Sequence, residues 1–251
     1  MSGHSKWSSI KHKKGAADAK RGKLFSKLAR AIIVAAREGG PDPDANLALQ
    51  NAVEKAREAS MPKENIERAI ARGAGSGADS ESYETVTYEG YGPGGVAVFV
   101  EALTDNRNRT AAEVRHTFSK NDGNLGESGV VAWLFERKGV ILVPAGPVDE
   151  DELTLVAADG GAEDVVLDGS SFQVTCAPEE LASLRGALEE AGIAYESAEL
   201  TMVPKTSVAV EDELSAKKLL RLMDALEEND DVQEVYANFD IPEGILEAVA
   251  G

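Results

Sequence analysis

The spacing of apolar positions changes character twice along the chain. From Gly15 to Glu38 there is no proline and the composition favours helix, rich in Ala, Lys, Arg and Leu. At about 100° per residue, Leu24, Phe25, Leu28, Ile32 and Ala35 share one arc. Lys20, Lys23, Lys27, Arg30 and Arg37 share the neighbouring one. Gly39-Gly40-Pro41 stops this helix, and Asp44 is placed to cap a second, in which Leu49, Val53, Ala56 and Ala59 recur at helical spacing. Pro62 suits the first turn of a third helix, with Ile66, Ala69 and Ile70 on one side and Arg68 and Arg72 nearby. The three predict a small bundle. Gly73 to Ser82, rich in Gly and Ser, reads as a linker.

Beyond the linker the period becomes that of strands. Tyr83–Glu89 and Val96–Leu103 predict a hairpin around Gly90–Gly95. That loop contains G-x-G-x-x-G, but a strand follows it where a dinucleotide site needs a helix, so it reads as a hairpin loop. Asp105 to Thr110 opens a helix, Gly123–Gly129 is a polar loop, and Val130–Phe135 is expected to be a third strand. A strand at Val140–Val143, a helix from Asp149, strands at Asp164–Leu167 and Phe172–Thr175, a helix over Pro178–Ala191 and a strand from Ile193 then run in split βαββαβ order. A helix from Asp212 to Glu228 and a strand at Val232–Phe239 would complete the sheet that this block interrupts. The expected fold is α+β: an N-terminal three-helix domain over 1–76, then two ferredoxin-like α/β domains. The first spans 83–138 plus 206–242, and the second, over 139–205, is inserted in it.

Charge adds a functional direction. The 251 residues carry a net charge of −18, yet nine of the 26 Lys and Arg fall by Arg30, against one acid, Asp18. Between Asp149 and Glu199 the only base is Arg185. A basic arm on an acidic chain suits a phosphate backbone, the alternative being a solvated cationic face. The basic stripe continues upstream, where Trp7 and His12 are interleaved with Lys, a mixture suited to phosphate contact plus base stacking. The candidate nucleic-acid-binding residues are Lys6, Trp7, Lys11, His12, Lys13, Lys14, Lys20, Arg21, Lys23, Lys27 and Arg30. Since the packed arc of the first helix is the neighbouring one, its basic arc is expected to be free of tertiary contact. Arg107 and Arg109, at a helix N-terminus, are either a second phosphate contact or partners of nearby carboxylates.

Other classes find little support. No apolar run approaches the roughly 20 residues of a membrane span, and no apolar core follows the N-terminal charges, so neither a membrane partner nor a signal peptide is expected. The single Cys176 fits a reducing, cytoplasmic compartment, and a buried structural thiol is the preferred reading of it. His4, His12 and His116 lie in no metal spacing, and no serine sits in a nucleophile elbow. Neither catalysis nor a cofactor or metal is expected.

GHSKW at Gly3–Trp7, IKHKK at Ile10–Lys14, DAKRGKLFSKLAR at Asp18–Arg30, MPKENIERAI at Met61–Ile70, YEGYGPGGVAVFVEALTDNRNRTAAEVRH at Tyr88–His116, NLGESGVVAW at Asn124–Trp133 and YANFDIP at Tyr236–Pro242 resemble the YebC/PmpR family nearly end to end. Val130, where that family usually has Ser, and Ser8-Ser9, where Ala-Asn is commoner, depart from its pattern without touching a charge. The resemblance implies a helical N-terminal domain, two α/β domains around a cleft and a non-enzymatic regulator of gene expression. Family members are described as DNA-binding transcriptional regulators. Others, similar to the mitochondrial translational activator of cytochrome c oxidase, act on the ribosome. Nucleic acid is therefore the expected partner, as DNA or as ribosomal RNA and possibly the ribosome itself. Lys and Arg on a helix suit either backbone.

Overall fold

The computed structural model describes residues 18–75 and 83–250, the side chains of 18–20, 243, 247 and 250 excepted. The first helix, α1 (Asp18–Gly39), is followed by α2 (Leu47–Glu58) and α3 (Lys63–Ala74). They close on a core of Ile32, Leu49, Val53, Ala56, Ile66 and Ala69. A side chain at Gly73 would strike the backbone carbonyl of Ile33, so glycine lets α3 pack directly on α1. The cap of α2 is Asn46, not Asp44. Asn46 accepts from the Leu49 N–H at 3.1 Å while its amide donates to the Ala35 and Gly40 carbonyls, both at 2.8 Å. One side chain thus starts α2 and ties it to the end of α1, whereas the Asp44 N–H turns back onto Asp42. Pro62 stands at the cap of α3, one place before its first turn.

The next elements are β1 (Glu84–Tyr91), β2 (Ala97–Thr104), α4 (Arg107–Lys120) and β3 (Asn124–Leu125). After the inserted block come β8 (Val208–Ala209), α7 (Glu213–Glu227), β9 (Val232–Ala237), β10 (Phe239–Asp240) and α8 (Glu243–Ala250). The first sheet has the order β3-β1-β2-β9 and is antiparallel, with Glu84 opposite Thr104 and Phe99 opposite Tyr236. Val98 and Val100 of β2 share one core with Phe118 of α4 and with Leu219, Leu222 and Met223 of α7. A Cβ at Gly90 would meet the Asn124 carbonyl at 2.5 Å and the Phe118 ring at 2.8 Å, so a bare backbone is needed there.

Two strand expectations fail in this region for identifiable reasons. Residues 130–135 do not form one strand: a 3₁₀ turn occupies Ala132–Leu134. The Glu89 carboxylate, buried on β1, accepts from the backbone N–H groups of Gly129 (2.7 Å), Val131 (2.8 Å) and Ala132 (2.7 Å), which therefore cannot serve any ladder. The expected strand Val232–Phe239 is broken at buried Asn238. Its side chain accepts from the Ala97 N–H at 2.7 Å, and its carbonyl from Val208 at 2.7 Å, so β10 leaves β9 and pairs in parallel with β8.

The inserted block is β4 (Phe135–Pro144), α5 (Glu150–Asp159), β5 (Ala162–Asp168), β6 (Ser171–Cys176), α6 (Leu181–Glu190) and β7 (Ser197–Pro204). Its sheet order β5-β6-β4-β7, antiparallel throughout, is the ferredoxin-like arrangement. Asp149 caps α5 through the N–H groups of Asp151 and Glu152. The last strand begins at Ser197. Ile193 instead follows a turn at Gly192 (φ +72°) and sits in the core with Ile141, Leu153, Phe172 and Leu184. The chain divides into two compact units: residues 133–207, where 139–205 was expected to be inserted, and the remainder, which holds both the helical bundle and the first sheet.

Candidate nucleic-acid interface

The basic arc of α1 is not free of tertiary contact, contrary to the expectation from periodicity. Lys27 Nζ donates to the Glu227 carbonyl at 2.5 Å and Lys23 Nζ to the Glu228 carbonyl at 3.2 Å. These are the end carbonyls of α7, where partial negative charge accumulates and no intrahelical donor remains. Arg30 Nη1 donates to the Asp230 carbonyl at 2.7 Å, to Asp231 Oδ1 at 3.0 Å and, more weakly, to the Leu103 carbonyl at 3.3 Å. Its guanidinium also lies 4.9 Å from the Tyr83 ring centroid. Arg37 donates to the Tyr83 carbonyl at 2.6 Å, and Lys55 of α2 meets Glu234 of β9 at 2.9 Å. Periodicity separates apolar from basic arcs but cannot show that a second element offers carbonyls to the basic one.

The centre of these contacts is Asp231, only 4% exposed. Oδ2 accepts from Arg109 Nη2 and from the Thr110 hydroxyl, each at 2.7 Å, and lies 3.2 Å from the Thr104 hydroxyl. Its backbone carbonyl accepts from Leu103 at 2.8 Å. Burial pushes the carboxyl pKa up. The hydrogen bonds from Thr110 and Arg109, with the charges of Arg109 and Arg30, outweigh that and hold it below the ordinary value. Arg109 is in turn raised, first by its hydrogen bond to Asp231 and then by the one to Asp105. Sequence reasoning missed Asp231, because within Glu227–Asp231 nothing marks it out from the other acids. Its only local signal is position, immediately before the β-branched start of β9.

Around this carboxylate opens a cleft of about 560 Å³, lined by three cations, Lys23, Arg30 and Arg109, and five acids, Asp105, Glu113, Glu228, Asp230 and Asp231. The structure thus gathers Lys23, Arg30 and Arg109 at one site, with Lys27 beside it on the end of α7. For Arg109 the carboxylate reading holds. Arg107 goes elsewhere: it is exposed, and its carbonyl accepts from the Tyr88 hydroxyl at 3.4 Å. Arg21 is exposed on the first turn of α1. Lys6, Trp7, Lys11, His12, Lys13 and Lys14 lie outside the described residues, as does the side chain of Lys20. Cys176 is buried, and burial, then Glu163 and Glu180, push its thiol up, as suits a structural residue. Among the described residues no group of acidic, His or Cys side chains is arranged to hold a metal ion, and no helix is long and apolar enough to cross a membrane.

Residues 5–76 match the family model for the TACO1/YebC protein N-terminal domain, and residues 83–239 that for the TACO1/YebC second and third domain. The chain belongs to the YebC family. A relative from Rubrobacter xylanophilus is 63% identical over 251 residues, covering all of both chains, and one from Syntrophobacter fumaroxidans is 58% identical over 250 residues, again across both. Each of those proteins is named a probable transcriptional regulatory protein. Among solved structures, a conserved hypothetical protein of Aquifex aeolicus superposes with a TM-score of 0.79 at 55% identity, covering 90% of this chain and 93% of that one. The YebC α+β architecture, a helical region followed by sheet domains, is thus shared with a solved family member.

Proposed function

We propose that this chain is a non-enzymatic, nucleic-acid-binding regulator of gene expression, acting in the cytoplasm as a DNA-binding transcriptional regulator. The observation that carries the reading is the concentration of positive charge at one end of an acidic chain: nine of the 26 Lys and Arg fall by Arg30, against one acid, in a chain of net charge −18. On α1, Lys23, Lys27, Arg30 and Arg37 hold carbonyls and a carboxylate of the same chain. On this reading the contact with phosphate falls to the basic residues upstream of them in the sequence: Lys6, Lys11, Lys13, Lys14, Lys20 and Arg21. The names carried by the Rubrobacter and Syntrophobacter relatives agree with transcription. A second reading, a translation factor bound to ribosomal RNA, is favoured by one feature. Trp7 and His12 stand among the lysines of the arm, where rings can stack on unpaired bases.

Competition binding at about 0.15 M salt tests both, using a promoter fragment, a scrambled duplex of equal length and a ribosomal RNA fragment. The transcriptional reading requires the promoter to be preferred over the scrambled duplex by about 10³ or more. Equal duplex affinities with tighter RNA binding, weakened by Trp7→Ala, establish the translational one. With either target, Lys11→Glu/Lys13→Glu/Lys14→Glu removes most of the binding and flattens its salt dependence by about 0.7 to 0.9 in log–log slope for each phosphate no longer neutralised.

A further inference from the structure

The outer face of α4 carries polar side chains that the fold does not use. Thr110, Val114 and Phe118 turn into the core. Opposite them Asn108, Ala112, Arg115 and Ser119 are exposed, and at about 100° per residue they fall within about 60° of one another. His116 and Lys120, also exposed, lie along one flank of this stripe, and exposed Arg107 stands at its N-terminal end. No hydrogen bond or ion pair joins the side chains of Arg107, Asn108, Arg115, His116 or Lys120 to another described residue. The one acid of the helix, Glu113, accepts from Asn229 Nδ2 at 2.8 Å, and Arg109 is held by Asp105 and Asp231. Of the exposed large apolar side chains among the described residues, none belongs to α4.

We infer that this stripe enters the major groove of duplex DNA, where Asn108 and Arg115 read base edges and Arg107, His116 and Lys120 hold the phosphates beside them. The assignment rests on the transcriptional reading above and adds to it the side chains that choose a sequence. A helix about 10–12 Å across fits a B-form major groove about 12 Å wide. From Asn108 to Ser119 the helix rises about 16 Å, close to five base-pair steps of about 3.4 Å. Within that span the amide of Asn108 can pair with adenine N6 and N7, and the guanidinium of Arg115 with guanine O6 and N7. Between them Ala112 offers only a methyl group, which lets the backbone approach the groove floor and can touch a thymine methyl. The deep, narrow major groove of A-form RNA does not admit such a helix. A protein partner would find no aromatic or large aliphatic anchor on this face, and such anchors dominate protein interfaces.

Selection by the full chain from a pool of DNA duplexes with a randomised centre of about ten base pairs tests the site, followed by anisotropy titration of the enriched duplex. The wild type is expected to enrich a motif of about five base pairs, the length that the stripe spans. Asn108→Ala and Arg115→Ala should each relax the preference at one motif position by about ten-fold. Arg107→Ala/Lys120→Ala should lower the salt slope by about 1.8, two phosphates at about 0.9 each, with the motif unchanged. Ala112→Trp removes no contact but holds the helix off the groove floor, and is expected to weaken the enriched duplex about ten-fold while leaving an RNA hairpin of matching sequence unaffected. All these positions are exposed, and matching thermal unfolding curves separate lost recognition from lost fold. The wild-type motif in Asn108→Ala and Arg115→Ala, with full affinity in Ala112→Trp, would overturn the site while the transcriptional reading stands. A wild type that enriches no motif at all would overturn that reading together with the site.

Discussion

The cleft at Asp231 and a second groove of about 440 Å³, between α1 and α3 beside Arg68, are both walled by α1, yet their linings differ. In the cleft each positive head has an internal anion or carbonyl, and acids outnumber bases five to three. Among the described residues, the groove is lined by an apolar wall from α1 and by Asn65, Arg68 and Arg72 of α3, with no acid. The helical bundle and the first sheet also keep separate apolar cores, so the contacts described between them are largely those of long cationic side chains. A basic arc on a helix can thus serve as an internal clamp, and what makes it one is which backbone and carboxylate oxygens lie across from it.

The sharpest way to break the contrast is to remove the clamp's anion. Asp231→Ala leaves Arg30, 17% exposed, without its carboxylate and removes one acceptor of the Thr110 hydroxyl. A loss of about 3 kcal/mol is expected. At about 2–4 °C per kcal/mol for a chain of this size, thermal unfolding should fall by roughly 10 °C. Groove variants such as Arg68→Glu/Arg72→Glu should stay within about 0.5 kcal/mol of the wild type, since both positions are exposed. Equal destabilisation by both sets would erase the distinction.

Charge reversal of the clamp is expected to have the next largest effect. Lys23→Glu/Lys27→Glu/Arg30→Glu places anions against the end carbonyls of α7 and against Asp231, so about 2 kcal/mol of repulsion and broken hydrogen bonding is expected where bundle meets sheet. Hydrogen exchange should rise at the C-terminal turn of α7 and at Leu103, whose N–H donates to the Asp231 carbonyl. A binding loss in this variant therefore says nothing about phosphate contact until exchange has been compared. Unchanged exchange would return these residues to the role that periodicity assigned them.

The pH dependence follows from the direction of the Asp231 shift. Its folded pKa lies below the unfolded value of about 3.9, so its contribution is fully present above that value and is lost as pH falls through the folded pKa. Between pH 5 and 8 the clamp should be insensitive to pH. Below about pH 4 the wild type should approach the stability of Asp231→Ala, and a parallel offset maintained down to pH 2 would show that the carboxylate charge is not what Arg30 and Arg109 recognise.

Much of this fold can be read from periodicity because most elements bury one face. Leu49, Val53 and Ala56 mark α2, and Leu219, Leu222 and Met223 fall on the buried side of α7. Errors occur where a single polar side chain overrides the pattern. Glu89 takes three N–H groups from an apolar run that reads as a strand, Asn238 splits another, and Asn46 displaces Asp44 as a cap. Each acts on residues 3 to 141 positions away, and in the longer cases no local window contains both partners. The candidate site is affected most, because the arc of Lys23, Lys27 and Arg30 has a composition equally suited to phosphate and to the end of a helix. Only the position of Asp231, 201 residues after Arg30, decides which it meets.

The smallest expected effect tests the contrast within one turn of one helix. Arg107 and Arg109 both belong to the first turn of α4, where free N–H groups and the helix dipole favour anions. Arg109 answers to Asp105 at 2.8 Å and Asp231 at 2.7 Å, whereas the Arg107 side chain is exposed. Arg109→Ala should therefore cost about 1 kcal/mol, the upper range for a half-exposed pair, because one of its two carboxylates is buried. Arg107→Ala should leave stability unchanged. If the N-terminus of α4 also meets phosphate, Arg107→Ala alone should lower the salt slope of nucleic-acid binding, by about 0.7 to 0.9, with no change in unfolding. A slope lowered equally by Arg109→Ala would mean that its two carboxylates release it to the ligand, and that the acid-rich cleft is open to phosphate.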